Sequence, residues 1–446
     1  MGRTGSRGTC GGSPSGRRMC GSWCAICSSR DPRACARGQS KLLRRCVRLE
    51  QERPSRDLST MTARTSSPPS VPAELDRWRR ETPGCRERIH LNNAGAALMP
   101  QAVLQALVGF LEREAAIGGY EAADEAEPRV RETYELLGRL VGAAARNVAI
   151  VENATVAFSQ AVSAFDFRPG DRIVTTRADY PSNQLTYLSL ARRAGVETVR
   201  ADDLPEGGVD PASVRRLASH PRTRLVALSW VPTNSGLVQD AALVGEVCTE
   251  LGVPYLIDGC QAVGQLAVDV AALRCDFLAG TGRIERGAFP LSLDMRGADW
   301  TDPDAFRLAD GARRFENWEF AYALVAGLGA AARYALAVGA GGRERARRLA
   351  ALLRPQLAEI PGVRVLDRGR EQCAIVTVDV AGRDAADLKL RLRQRGINAS
   401  SADRTSGVLD MDEKGASTVL RFSPHYYNTE DELETAVAAL AELARS

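Results

Sequence analysis

The chain has 446 residues, of which 44% are hydrophobic and 26% are charged, so it can bury a sizeable core without disulfides or metal ions. No apolar run approaches the roughly 18 residues that a membrane span requires, and no membrane association is expected. The 59 basic residues include only three lysines, Lys41, Lys389 and Lys414, which limits any lysine-dependent mechanism to three candidates.

The positive charge is concentrated at the N-terminus. Residues 1–60 hold twelve arginines and one lysine against four acids, a net charge of +9, whereas the whole chain carries +4. The remaining body is therefore acidic and gives no case for nucleic-acid binding. No secretory hydrophobic segment precedes this region, and a cytoplasmic protein is expected.

The N-terminal segment also holds a CxxC pair, Cys24 and Cys27. No second pair and no nearby histidine completes a tetrahedral zinc site, so no metal is expected. We interpret residues 1–72 as a disordered basic extension, or as upstream translation preceding a start at Met61. A transit peptide is the less favoured alternative, because glycine and proline interrupt any amphipathic helix.

Strand and helix patterns alternate in the first part of the body. Helical spacing is predicted at 103–115, 130–141, 153–165, 183–194, 210–218 and 241–251. Short apolar strands are predicted at 147–151, 172–175, 197–201, 225–230 and 254–257. Buried, non-alternating strands between helices predict a mainly parallel sheet with helices on both faces, and ligands of such sheets bind beyond the carboxyl ends of the strands.

The pattern changes beyond residue 320. Alanine-rich helices are predicted over 320–358, strands at 363–366, 374–380 and 418–423, and a helix at 385–395. A last helix begins at Thr429, which forms a capping box with Glu432. We therefore predict an α/β protein with a large domain at 73–325 and a smaller α+β domain at 326–446.

Four segments together resemble the class V aminotransferase family, the pyridoxal-phosphate enzymes that include cysteine desulfurases and isopenicillin-N-epimerase-like proteins. They are HLNNAGAALMP at 90–100, ENAT at 152–155, YLIDGCQAVGQLAVDVAALRCD at 255–276 and LRFSPHYYNT at 420–429. The resemblance implies a fold-type I pyridoxal-phosphate transferase, bound pyridoxal 5'-phosphate, a homodimer and a small amino-acid-like carboxylate substrate.

The resemblance also implies site residues. Asp258 matches the carboxylate that pairs with the pyridine nitrogen and keeps the ring protonated as an electron sink. Arg421 matches the arginine that grips a substrate α-carboxylate. The implied cofactor-binding residues are Asn153, Ala154, Thr155, Tyr180, Asp258, Gln261, Thr281 and Arg283. The implied substrate-binding residues are Asn92, Asn93, Asn183 and Arg421.

One family feature is missing from the small domain. Cysteine desulfurases carry a nucleophilic cysteine on a loop that corresponds to residues 395–407, and no cysteine occurs there. Cys260 and Cys275 flank the Asp258 segment, where we expect them in the core. Desulfuration through a persulfide is therefore disfavoured, and transamination, lyase or epimerase chemistry is expected instead.

A second departure affects the Schiff-base lysine. In the family that lysine follows the segment equivalent to Thr281–Arg283, but this sequence has Ile284 there, and the glycine-rich loop that should follow is absent. Isoleucine can neither bind the cofactor covalently nor shuttle a proton. Lys389 lies on a predicted helix and Lys414 in a turn expected to be exposed, so neither replaces it. We assign no catalytic residue and expect cofactor binding, if any, to be non-covalent and weak.

Three interpretations remain open at this point. The chain is a degenerate or internally deleted relative of an active enzyme, or it binds the cofactor non-covalently and retains some chemistry. In the third interpretation, the chain is a pseudoenzyme that dimerises with an intact paralogue. The first ranks highest from the sequence.

Overall fold

The computed structural model describes residues 71–280 and 289–445, which belong to one compact unit. Residues 1–70 of the predicted extension at 1–72 lie outside the described residues, while Val71 and Pro72 begin the first helix. So do Thr281, Arg283 and Ile284.

Helices and strands alternate through most of the chain. The helices are α1 (Val71–Glu81), α2 (Asn93–Ala96), α3 (Gln101–Ile117), α4 (Gly119–Val141), α5 (Ala154–Ser163), α6 (Pro181–Ala194), α7 (Pro211–Ala218), α8 (Ala241–Leu251), α9 (Tyr322–Ala358), α10 (Ala385–Gln394), α11 (Val408–Lys414) and α12 (Glu430–Arg445). The strands are β1 (Ile89–His90), β2 (Arg172–Thr175), β3 (Glu197–Arg200), β4 (Thr223–Ser229), β5 (Tyr255–Asp258), β6 (Phe277–Ala279), β7 (Ala298–Asp302), β8 (Ala305–Leu308), β9 (Val363–Val365), β10 (Val376–Val380), β11 (Ile397–Asn398), β12 (Ser400–Asp403) and β13 (Thr418–Phe422).

The large sheet has five strands in the order β3-β2-β4-β5-β6, and all of its pairings are parallel. Every residue of β5 is buried, and so is every residue of β4 except Arg224. This near-continuous burial explains why these strands read as apolar runs, because helices cover both faces of a parallel sheet. The predicted α/β fold with a mainly parallel sheet is confirmed.

Two hydrophobic clusters cover the two faces of this sheet. One includes Val226, Leu228 and Ile257 with residues of α7 and α8. The other includes Leu225 and Leu256 with residues of α5 and α6. Alternate residues of one strand therefore serve opposite cores, which fixes the register of the sheet.

The second sheet has four antiparallel strands in the order β12-β13-β10-β9. Its core also takes residues from α10, α12 and the C-terminal half of α9. The capping box predicted at the start of the last helix is present, since Thr429 N donates to Glu432 Oε2 (3.3 Å) and Glu432 N donates to Thr429 Oγ1 (3.2 Å). The predicted boundary at 325/326 falls within α9 and stays a prediction.

Some predicted elements were wrong. No strand forms at 147–151, because a 3₁₀ turn at Ala145–Asn147 places Val148 in the core without a pairing partner. Helix α4 begins at Gly119, eleven residues before the predicted start. The sequence patterns also gave no sign of the short strands β7, β8 and β12.

Two segments are long and apolar enough to cross a membrane by length and composition alone, Asn93–Ile117 and Tyr322–Ala358. Both are interrupted. Ala97 and Pro100 have extended backbone between α2 and α3, and Gly339 in α9 has φ 60° and ψ −150°. Helix α9 also packs against α3 and α4.

Candidate active site

Polar side chains collect where neighbouring strands of the large sheet end. Asp258 is the last residue of β5 and Ser229 the last of β4, while Asp179 and Tyr180 follow β2. Because the strands are parallel, their carboxyl ends meet at one edge of the sheet. The fold therefore brings these segments together, as the sequence predicted for Asp258.

Asp258 is buried and held by two close hydrogen-bond donors, with the Ser229 hydroxyl nearby. Asn183 Nδ2 donates to Asp258 Oδ2 (2.9 Å), Ser229 Oγ lies 3.5 Å from the same oxygen, and Cys260 N donates to Oδ1 (3.0 Å). Burial raises the pKa of Asp258, and the Cys260 and Asn183 donors oppose that rise. A cationic N–H group beside this carboxylate would hold it in the charged form.

A second carboxylate, that of Asp179, shares two hydrogen-bonding partners with Asp258, namely Asn183 and Ser229. Its Oδ1 accepts from Ser229 Oγ (2.6 Å), Tyr180 N (2.7 Å) and Asn183 Nδ2 (3.1 Å). Its Oδ2 accepts from Thr175 Oγ1 (2.8 Å). Asn183 thus bridges the two carboxylates and helps to fix the position of Asp258.

The N-terminus of α5 lies at the same edge. Asn153 caps the helix, because its Oδ1 accepts from Val156 N (3.0 Å). The next two N–H groups, of Ala154 and Thr155, belong to the first turn, where a helix supplies no internal acceptor. Such an end attracts an anionic group, as phosphate does at other helix N-termini.

These residues surround a cavity of about 230 Å³, here called the strand-end cavity. Six of the eight predicted cofactor residues line it, namely Asn153, Ala154, Thr155, Tyr180, Asp258 and Gln261. The other two, Thr281 and Arg283, lie outside the described residues. Their predicted roles stay predictions.

A larger cavity of about 660 Å³, the arginine cavity, is lined by Arg343 and Arg421 among other residues. It shares Tyr180, Cys260 and Gln261 with the strand-end cavity, so the two adjoin. Arg421 is buried and its Nη1 donates to Thr233 O (2.9 Å). Its Nε is a buried donor without a hydrogen-bond partner among the described residues.

Asn183 lines the strand-end cavity and Asn93 lines the arginine cavity, so the substrate contacts predicted for the three asparagines stay predictions. Asn183 is 1% exposed, and its amide nitrogen is bonded to Asp179 and Asp258. Asn93 donates to His90 O and Ser423 O and accepts from Tyr427. Asn92 lines neither cavity. The side chains of Asn93 and Asn183 hold segments together through hydrogen bonds to protein groups, whereas Asn92 Oδ1 is buried without a hydrogen-bond partner among the described residues.

Two further expectations were wrong. Cys260, expected in the core, is exposed and lines both cavities, because it lies in the turn two residues after β5 ends. Cys275 is buried as expected. Lys414, expected in an exposed turn, is buried at the end of α11. Its Nζ donates to Asn234 O and pairs with Asp410 Oδ2, both at 2.7 Å.

The class V aminotransferase family model matches residues 89–283 and 299–435, well over half of the chain. The match is interrupted over residues 284–298, a segment that begins with Ile284. The protein belongs to the class V aminotransferase family.

Curated relatives of this class V protein are cysteine desulfurases. A probable cysteine desulfurase of Methanothermobacter thermautotrophicus is 27% identical over 395 residues, covering 82% of this chain and 97% of the relative. Another, of Xylella fastidiosa, is 26% identical over 417 residues, covering 85% and 98%.

Solved structures show the same fold. The apo cysteine desulfurase of Thermococcus onnurineus NA1 superposes with a TM-score of 0.75 at 23% identity, covering 83% of this chain and 98% of that one. The cysteine desulfurase CsdA of Escherichia coli gives a TM-score of 0.74 at 22% identity, with the same coverage.

The strand-end cavity of this class V protein fits pyridoxal phosphate. The buried carboxylate of Asp258 suits the pyridine nitrogen, and the first N–H groups of α5 suit the phosphate. Tyr180 lines both the strand-end cavity and the arginine cavity. Gln261 Nε2 donates to Ala94 O (2.9 Å), which leaves its oxygen to accept from a ring hydroxyl.

Sequence reasoning missed the supports of the site. Ser229 ends an apolar strand and Asp179 lies four residues after one, which is a usable signal for polar groups at a parallel-sheet edge. Arg343 and His425 gave no such signal, because they enter the arginine cavity through tertiary packing. No group of three or more potential metal ligands occurs in the part of the chain that the structure describes.

Proposed function

We propose that this class V protein binds pyridoxal phosphate non-covalently and, by descent, recognises an amino-acid-type substrate, with turnover impaired by the loss of the lysine and its loop. Bound pyridoxal phosphate supplies an electron sink for bonds at the α-carbon of an amino acid. Asp258 would hold the ring nitrogen, the α5 N-terminus the phosphate and Arg421 the α-carboxylate.

The positions of the lysines are the main support for non-covalent binding of the cofactor. Ile284 stands where the family lysine is expected, and the sequence offers only Lys41, Lys389 and Lys414. Lys389 lies on α10 and Lys414 is committed to Asp410 and Asn234, and neither lines the strand-end or the arginine cavity. Lys41 lies outside the described residues.

Transamination, lyase or epimerase chemistry suits the residues better than persulfide-forming desulfuration. Residues 395–407 contain no cysteine, although the curated relatives are cysteine desulfurases. Cys260 is the thiol that lines both cavities among the described residues, and it lies on the Asp258 segment. The proposal therefore keeps the family's amino-acid substrate and leaves the persulfide step out.

A second candidate is a catalytically inactive pseudoenzyme that pairs with an intact paralogue, and an exposed apolar face supports it. Leu104, Val108 and Leu111 on α3 are exposed, and so are Leu324 and Leu328 on α9, which packs against α3. Exposed apolar faces of this kind mark protein interfaces. If the cell contains no such paralogue, we propose that the same apolar face joins two copies of this chain into a cytoplasmic homodimer.

The test is reduction of the cofactor complex. Full-length protein is mixed with pyridoxal phosphate, treated with borohydride, freed of small molecules and digested for mass spectrometry. We expect removal of the small molecules to remove the near-visible absorbance of the cofactor as well. We also expect the digest to contain no pyridoxyl-lysine peptide. A stoichiometric adduct at one lysine contradicts it.

An Ile284→Lys variant is the matched control, because it returns a primary amine to the expected position. An adduct at position 284 in this variant alone shows that the cofactor reaches that residue. Co-purification of the tagged chain with a second class V protein from its native cells, with no pyridoxal-phosphate binding by the chain alone, favours the pseudoenzyme.

A further inference from the structure

The arginine cavity contains a second guanidinium for which the proposed function has no use. Arg343 on α9 lines the cavity and makes no ion pair or hydrogen bond with any described residue. Its neighbours on the same helix are all paired: Arg345 and Arg348 with Glu430, and Arg347 with Glu371. An unpaired arginine beside three paired ones has a charge that is available to a ligand.

The backbone of α9 determines where Arg343 lies. Gly339 has φ 60° and ψ −150°, a conformation that glycine adopts without strain, and it breaks the helix four residues before Arg343. Gly342 packs closely on Tyr426, where an added Cβ would lie 3.3 Å from the tyrosine Cβ. The kink and this close contact fix the second half of α9 against the segment that follows Arg421.

The cavity holds no compensating negative charge. None of the described residues that line it is aspartate or glutamate. Burial lowers the pKa of Arg421, and no carboxylate opposes that effect. Its buried Nε still lacks an acceptor.

His425 also lines the arginine cavity. Gln265 Nε2 lies 2.8 Å from His425 Nε2, so the imidazole accepts there and carries its hydrogen on Nδ1. That Nδ1 has no partner among the described residues. Burial lowers the pKa of His425 to about 3, so the ring is neutral and donates without adding charge.

We propose that the substrate carries a second anionic group, a carboxylate or a phosphate, that Arg343 binds while Arg421 binds its α-carboxylate. The inference rests on the proposed function for the role of Arg421. Guanidinium forks recognise both anions through paired N–H donors. A neutral side chain would leave the Arg343 charge unpaired in the cavity, so the site discriminates against it.

The experiment compares a dianion with a monoanion of similar length. Binding of glutarate, 3-phosphonopropionate and butyrate to the full-length protein is measured by calorimetry at fixed ionic strength, for the wild type and for R343A, R343K, R421Q and R193A. Arg193 is an exposed arginine on α6 that lines neither cavity, which makes R193A the matched control.

R343A is expected to weaken glutarate binding roughly tenfold or more without changing butyrate binding, since a charge-assisted hydrogen bond is lost. R343K is expected to restore part of the preference, and R193A to match the wild type. Tighter binding of 3-phosphonopropionate than glutarate identifies phosphate as the second group, and the reverse order identifies carboxylate.

An unchanged ratio of glutarate to butyrate affinity in R343A overturns the inference. If that ratio is unchanged in R343A but R421Q abolishes the binding of both glutarate and butyrate, the proposed α-carboxylate site at Arg421 stands. Only the inference about Arg343 has then failed. If R421Q binds both ligands like the wild type, or the wild type binds neither, the proposed function has failed and the inference falls with it.

Discussion

Asn183 and Asp258, 75 residues apart in the chain, are joined by a hydrogen bond of 2.9 Å from Asn183 Nδ2 to Asp258 Oδ2. The same amide nitrogen donates to Asp179 Oδ1 (3.1 Å), so one side chain separates two buried carboxylates. Asn183 is therefore a positioning residue for Asp258.

Replacing Asn183 by alanine should weaken pyridoxal-phosphate binding roughly tenfold, because Asp258 loses a donor that favours its charged form. The measurement is a titration with pyridoxal phosphate followed by protein fluorescence. Gln184→Ala is the control, since Gln184 Nε2 donates to Asp179 Oδ2 and does not touch Asp258. Equal affinities for the two variants would show that Asn183 does not position Asp258.

The protein should become less stable as the pH rises through the range in which Asp203 loses its proton. Burial, reinforced by the Glu413 charge, raises the pKa of Asp203 from 3.8 to about 6. The folded state therefore binds more protons between those values, and stability falls as the pH rises from about 4 through 6. Asp203→Asn should add about 1 kcal/mol at pH 7, a value reduced for solvent screening of this partly exposed group.

Chemical denaturation at pH 4 and pH 7 measures this effect. The neighbouring Asp202 supplies a control of opposite sign, because hydrogen bonds from Arg216 and Ser213 lower its pKa. Asp202→Asn should lose stability at pH 7. A gain in both variants would point to a general effect of removing negative charge.

Lys414 is expected to act in stability alone. Lys414→Met strands the buried carboxylate of Asp410 and should cost about 3–5 kcal/mol of unfolding free energy. Thermal unfolding measures the loss, and Lys389→Met, which removes a partly exposed lysine from α10, should change little. Loss of pyridoxal-phosphate binding by folded Lys414→Met protein at low temperature would contradict the structural role.

Cys260 should report occupancy of the strand-end cavity. Pyridoxal phosphate is expected to slow its alkylation several-fold, because the thiol lines that cavity. Partial burial and the Asp258 charge raise the pKa of the Cys260 thiol, so alkylation should speed up with increasing pH. Peptide mapping by mass spectrometry separates Cys260 from the other cysteines, and the peptide from a Cys260→Ser variant provides the blank. Alkylation that pyridoxal phosphate leaves unchanged would place the cofactor elsewhere.

The local patterns of the sequence were enough to predict the alternating strands and helices, the Thr429 cap, and Asp258 at a strand end. Each depends on residues close together in the chain, where periodicity and capping act. The family motifs added the cofactor and the residues around it. The prediction that Ile284 stands in place of the family lysine also came from residue identity alone.

Only the tertiary structure decided which side chains meet. Asn183 reads as a helix residue, yet it supports Asp258 because α6 and β5 converge at one sheet edge. Cys260 is accessible and Lys414 buried because distant segments leave one uncovered and enclose the other. Arg343 faces a cavity without acids because a kink at Gly339 orients its helix. Sequence periodicity describes one element at a time, whereas burial and charge pairing depend on every element packed around it.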